Sequence, residues 1–172
     1  REHSMSSRIP TGFSLPELMV TLAVFITFSS TAVPSFAEMI DRYRAKSYVQ
    51  QLSQYLAYAR VAAASSNLPV VVCPGAKTTC QKEWQLYPVQ LVALNPATDK
   101  QVLLRELPQV HTGHKLSYNR DSLTFRRDGS LNGFENGTFY YCAKAGSKWH
   151  YKLTLNQAGR SRLTQVSAPC PS

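Results

Sequence analysis

Two arginines set two residues apart behind a glycine, Arg160 and Arg162 in "NQAGRSRL", are the best-suited groups for chemistry in this 172-residue chain. A guanidinium is planar and permanently charged, and it donates two parallel hydrogen bonds in the geometry a phosphate accepts. Side chains alternate along a strand, so both guanidiniums leave one face while Ser161 and Leu163 take the other. The preceding "KWHYKLTL" alternates in the same way: Trp149, Tyr151, Leu153 and Leu155 point to a core, and Lys148, His150, Lys152 and Thr154 point to solvent. A hairpin of these two strands gathers Lys148, Lys152, Arg160 and Arg162 on its solvent side. From Thr138 to Ser172 there are five basic residues, Lys144 included, and no Asp or Glu. Basic residues on an edge strand also deter aggregation, but a merely solvated face mixes signs and this one does not. The expectation is an anion site formed by Arg160, Arg162, Lys148, Lys152 and Lys144, with Gly159 permitting the turn and a close backbone approach. Such a site reads phosphates, not base edges, and weakens steeply with salt. Arg126 and Arg127 are candidates to extend it, although "RDGS" reads first as a turn.

Other chemistries find little support. His3, His111, His114 and His150 are scattered, and "HTGH" reads as a surface loop with no carboxylate or thiolate pair nearby in sequence. There is no nucleophile elbow, phosphate-binding glycine loop or H-E-x-x-H, so no catalytic residue, cofactor or metal site is assigned and the chain does not read as an enzyme. The four cysteines, Cys73, Cys80, Cys142 and Cys170, lack a C-x-x-C pair and have irregular spacing, which argues for disulfides over zinc. Four cysteines allow three pairings, and sequence does not choose among them. The simplest scheme is Cys73–Cys80 closing "CPGAKTTC" and Cys142–Cys170 tying the tail to a strand. The net charge is +9; residues 1–12 hold two arginines and one glutamate, so the remainder carries +8 and favours anionic partners.

The elements that position these groups follow from periodicity. From Leu18 to Ala37 run twenty uncharged, mostly apolar residues, which as helix at about 1.5 Å per residue cross roughly 30 Å of hydrocarbon. The run is too long for the core of a cleaved secretory signal. Glu17 stands at its edge, where a carboxylate costs free energy unless it is partnered. Cleavage between Gly12 and Phe13 would supply that partner, because the new α-amino group lies four residues ahead of Glu17, and pairing between neighbouring copies would set the register of packed helices. Beyond Ala37 the chain stays helical but becomes amphipathic, with Tyr48, Leu52, Tyr55, Leu56, Ala59, Ala62 and Ala63 on one face. Pro34 is expected to kink or loosen this helix, and Asn67 with Pro69 to end it. Strands are then expected at 69–73, 83–94, 101–107, 122–127, 138–144, 148–155 and 161–166, forming an antiparallel meander punctuated by "NPATDK", "RDGS", "NGFENG" and "NQAG". The fold class is α+β: a long N-terminal helix packed on an antiparallel β-sheet domain.

The segment "GFSLPE" followed by the apolar run, behind the short basic "MSSRIPTG", resembles the leader of type IV prepilins. That resemblance implies a leader at 1–12 cleaved after Gly12 by a prepilin peptidase, methylation of the new amine on Phe13, and subunit docking through Glu17. Arg1 to Ser4, ahead of Met5, fit no part of the pattern. "YARVAAASSNLPVVVCPG", "EWQLYPVQLVALN", "LTFRRDGSLNGFENGTFYYC" and "LTLNQAGRSRL" are similar to successive blocks of the FimT/GspH family of minor pilins and pseudopilins. "ARVAA" departs from the family in lacking an acidic residue at the helix end. The organisation implied is a transmembrane and filament-core helix at 13–37, an amphipathic helix at 38–68 and a β-rich pilin domain at 69–172. "AGRSRL" resembles the tail element with which FimT-type minor pilins bind DNA during natural transformation. The implied partners are DNA without sequence preference, other major and minor pilins, the prepilin peptidase and the inner membrane. The implied location is the inner membrane with the domain periplasmic, then the cell-surface pilus. The alternatives are a structural minor pilin that primes or caps the filament and an H-type pseudopilin of type II secretion.

Overall fold

The computed structural model describes residues 12–144 and 146–171. Most of the expected leader, residues 1–11, lies outside the described residues. One helix, α1, runs Leu15–Ser66 and continues through Pro34. Its N-terminal part, up to Ile40, forms a unit of its own. There Leu18, Met19, Leu22, Phe25, Ile26 and Phe28 all face outward, and the stretch is long and apolar enough to cross a membrane. The hydroxyls of Thr21, Thr27 and Ser30 donate to carbonyls three residues back, of Leu18, Val24 and Thr27. That leaves few polar groups for an apolar surrounding to desolvate. Glu17 lies in the first turn, where a carboxylate also favours the positive end of the helix.

Asp41–Ser172 is the second unit. Here α1 buries Ala45, Val49, Leu52, Leu56, Ala59 and Ala63 completely, alternating steps of four and three. The seam includes the expected Leu52, Leu56, Ala59 and Ala63, while Tyr48, Tyr55 and Ala62 flank it, half-buried. Tyrosine suits a flank because its ring packs while its hydroxyl reaches a partner, as where the Tyr55 hydroxyl donates to the Glu106 carbonyl at 3.2 Å. Truncating Leu52 or Leu56 to Ala would cost about 2–5 kcal/mol. Asn67 ends the helix in the left-handed region at φ 52°.

The strands are β1 Val70–Ala76, β2 Thr79–Cys80, β3 Val89–Asn95, β4 Lys100–Leu107, β5 Lys115–Tyr118, β6 Leu123–Phe125, β7 Gly137–Cys142, β8 His150–Leu155 and β9 Ser161–Val166. They do not form one meander. One sheet has the order β2–β1–β3–β4 with β6 also paired to β1, and the other has the order β5–β7–β8–β9. After β5 the chain therefore returns to the first sheet for β6, which pairs Val70 with Phe125 and Val72 with Leu123, before completing the second. Residues 83–87, expected as strand, form a turn ahead of Pro88. The core holds Leu91, Phe125, Phe139, Tyr141 and Leu153, with the Phe139 ring stacked on Tyr118 at 4.1 Å and edge-on to Trp84 at 5.0 Å. Gln90, a fully buried side-chain amide, is satisfied: it donates to the Thr79 carbonyl at 2.9 Å and accepts from the Thr78 amide at 3.1 Å. Cys73 pairs with Cys80, and Cys142 with Cys170.

Candidate nucleic-acid interface

The last two strands form the expected hairpin. β8 and β9 pair Lys152 with Thr164, Thr154 with Arg162 and Leu155 with Ser161. Tyr151, Leu153 and Leu155 are buried, and the Ser161 hydroxyl meets that of Ser53 on α1 at 3.0 Å. Lys152, Thr154, Arg162 and Thr164 therefore lie on the outer face, with Arg162 diagonal to Lys152. β9 is the edge of its sheet, and Arg160 and Arg162 are both exposed.

The connecting turn is tightly built. The Asn156 side-chain carbonyl accepts from the Arg160 amide at 2.9 Å, and the Gly159 amide donates to the Asn156 carbonyl at 2.9 Å. Gly159 has φ 73° and is buried. A Cβ there would stand 2.5 Å from the Gly129 carbonyl oxygen and 3.0 Å from the Phe125 ring. Gly159 thus seats the turn against Gly129 and Phe125. Gln157 completes the contact: its carbonyl accepts from the Leu131 amide at 2.9 Å, and its side-chain amide donates to the Leu131 carbonyl at 2.6 Å.

This interlock brings in residues the chain order hides. The turn docked against Gly159 carries Arg126 and Arg127, both exposed. It is closed by the Arg126 amide donating to the Ser130 carbonyl at 2.7 Å and by Asp128, whose carboxylate accepts from the Ser130 amide and hydroxyl at 2.9 and 2.6 Å. Those two bonds hold the Asp128 carboxyl below the usual carboxylate range. Arg60 of α1 lies beneath, its Cγ 3.1 Å from where a Cβ on Gly129 would sit. Three exposed arginines, Arg126, Arg127 and Arg160, thus belong to two turns fastened together, with the exposed Arg162 following on β9 and Arg60 behind the first turn. The expectation that "RDGS" is a turn is met. That the turn abuts the tail arginines was not visible, because the contact joins residues 30 apart in sequence.

The lysines distribute differently. Lys152 sits mid-strand on the outer face, whereas Lys148 precedes β8 at the other end of the hairpin, about 20 Å of strand from Arg160. Lys144, in the loop after β7, pairs with Asp41 at 2.9 Å. The five expected residues therefore form an arginine end with Lys152 adjoining it, and a separate lysine end. His150 does not face solvent as its strand parity predicts. The tail tied down by Cys142–Cys170 covers it, and its Nδ1 lies 2.9 Å from the Ala168 carbonyl oxygen. His114 is not a surface-loop residue either. Its side chain is wholly buried, with Nδ1 bonded to the Tyr141 hydroxyl at 2.8 Å and Nε2 3.9 Å from Asp41. Burial holds its pKa below the ordinary histidine value. No group of His, Cys, Asp and Glu fit to hold a metal occurs among the described residues.

A long helix with an apolar first half, followed by a domain of two antiparallel sheets, is the architecture of a type IV pilin-like subunit. Residues 48–159 match the family described as type II transport protein GspH, and the chain belongs to that family. The fold is similar to the type IV minor pilin FimU of Pseudomonas aeruginosa strain PAO1, at 22% identity and a TM-score of 0.60, over 78% of this chain and 97% of that one. It is also similar to the minor pseudopilin EpsH from the type 2 secretion system of Vibrio cholerae, at 15% identity and a TM-score of 0.53, over 70% and 96%. No curated protein sequence matches. The family match stops at Gly159, so Arg160 and Arg162 lie just past it.

Proposed function

We propose that this chain is a minor pilin that captures extracellular DNA without sequence preference for uptake in natural transformation. The observation that carries the reading is the arginine end: Arg160 and Arg162, exposed at the start of an edge strand in a stretch from Thr138 onward that has no acidic residue, with the exposed Arg126 and Arg127 on the turn fastened to theirs. Each fork fits a phosphate oxygen pair, and the fastened turns fix the backbone from which the side chains project. In this reading the prepilin peptidase cuts after Gly12 and Phe13 is methylated. Residues 13–37 anchor the subunit in the inner membrane with the domain periplasmic, and Glu17 docks it among other pilins in the surface filament.

The test is fluorescence anisotropy with two unrelated duplexes across a salt series, beside a thermal melt. Arg160→Gln/Arg162→Gln should melt like the parent, since exposed changes usually stay within about 0.5 kcal/mol. It should bind both duplexes more weakly to the same degree, and lose roughly one unit of salt slope per phosphate contact. Arg126→Gln/Arg127→Gln should act in the same direction, and Lys152→Gln less. Parental binding by the tail double variant would refute DNA capture. The second reading, a pseudopilin or filament-priming subunit, is favoured by the likeness to EpsH; on that reading duplex binding is absent from the parent as well.

A further inference from the structure

The lysine end carries a site of its own. A recess of about 520 Å³ is lined by Lys115, Lys144 and Lys148 together with Trp149, Pro169 and the Cys142–Cys170 disulfide. The three lysines are exposed while Trp149 is buried, so the cavity combines cationic groups with an apolar wall. Among the described residues no carboxylate lines it. Of the three lysines Asp41 reaches only Lys144, and among the described residues Lys115 and Lys148 have no acidic partner within ion-pair distance.

We propose that this recess docks an acidic segment of a neighbouring protein subunit, with a carboxylate between Lys115 and Lys148 and an apolar side chain against Trp149. The shape argues for a peptide and against DNA. A duplex presents phosphates on a convex ridge and has no apolar group to fill a concavity, whereas a chain segment inserts side chains. The cations agree: lysine ammoniums are point charges that accept a carboxylate from many directions, unlike the guanidinium forks at the opposite end of the hairpin. The disulfide ties one wall to the end of β7, which lowers the ordering cost. The family to which the chain belongs is one of assembled pilins and pseudopilins, and a neighbouring subunit is the partner this surface meets first.

The probe is a labelled, end-blocked peptide with alternating Asp and Phe, against the same peptide carrying Asn for Asp, titrated into the full-length protein in detergent. Saturable binding of the acidic peptide alone is expected, weakening with salt. Lys115→Gln/Lys148→Gln should weaken it by about tenfold, the loss of two partly screened ion pairs; Lys115→Arg/Lys148→Arg should restore it, and Arg160→Gln/Arg162→Gln should leave it unchanged. Equal binding of the two peptides, indifference to the lysine pair, or no saturation by about 1 mM would overturn the proposal. So would a duplex affinity that falls as far in the lysine double variant as in the arginine one, because the recess would then belong to the DNA face. The two sites fail separately: loss of the DNA reading leaves the peptide result standing.

Discussion

Replacing Gly159 by Ala tests whether the two arginine-bearing turns are truly interlocked. The residue sits at φ 73°, where an L side chain costs roughly 1–2 kcal/mol. The added Cβ would also stand 2.5 Å from the Gly129 carbonyl oxygen and 3.0 Å from Phe125. Both neighbours are parts of the packed interior, a backbone oxygen and a buried ring, so relieving the overlap moves one turn away from the other, at about 1–3 kcal/mol. The sum, about 3 kcal/mol, corresponds to a melting temperature lower by roughly 10 °C for a domain of this size. Gly133 is the control. It has φ 49° but nothing within 4 Å of an added Cβ, so Gly133→Ala carries the conformational cost alone, about 1 kcal/mol. Circular dichroism melts of both variants separate strain from steric conflict. Duplex affinity measured well below the melt should drop for Gly159→Ala and not for Gly133→Ala, because only the former displaces Arg126 and Arg127 relative to Arg160. Melting of the two variants within about 1 °C of each other would refute the interlock.

Removing Cys142–Cys170 by paired Ser substitutions opens a 28-residue loop, against 7 residues for Cys73–Cys80, so denaturant unfolding should show a loss of about 3.5 kcal/mol for the first and roughly 2.5 kcal/mol for the second; equal losses would contradict the loop-length account. Because burial lowers the His114 pKa in the fold, the neutral form is favoured, and its contribution is complete above the unfolded value of about 6.5 and is lost as pH falls below it. Asp41 is lowered by its hydrogen bond from Lys144, so its contribution declines only nearer the ordinary carboxylate range. A melt should therefore soften between neutral pH and pH 5, and His114→Gln should flatten that fall; an unchanged slope would remove His114 as its cause. Glu17→Ala should leave membrane-fraction protein unchanged on a blot and lower its amount in sheared filaments several-fold, and Gly12→Val should leave only the unprocessed band.

The residue pattern carries the long helix, its change from apolar to amphipathic and the parity of β8 and β9, because each is set by local spacing against water. Asn67 and the "NQAG" turn are legible for the same reason, since a left-handed residue advertises itself. What decides sheet membership is long-range packing, so the split into two sheets and the return of β6 are not visible in strand-like runs. β2 and β5 escape notice because they are too short to show a period. Parity places His150 outside, and only the disulfide-held tail shows why it is buried. Asp41 and His114 meet across 73 residues, which hides their contact from any search for neighbouring groups.

The detour of β6 has a consequence for how the chain must be made. One edge of β1 pairs with β3 and the other is closed by β6 and the short β2. During synthesis from the N-terminus, β1 to β4 are complete well before Leu123–Phe125 emerges. Through that interval "VVV" at 70–72 presents open hydrogen-bonding groups on an apolar strand, the kind of edge on which foreign strands pair. The nascent domain is therefore most vulnerable to misassembly after its first sheet is almost built, and a factor shielding it would be needed at that stage of emergence and not at the end.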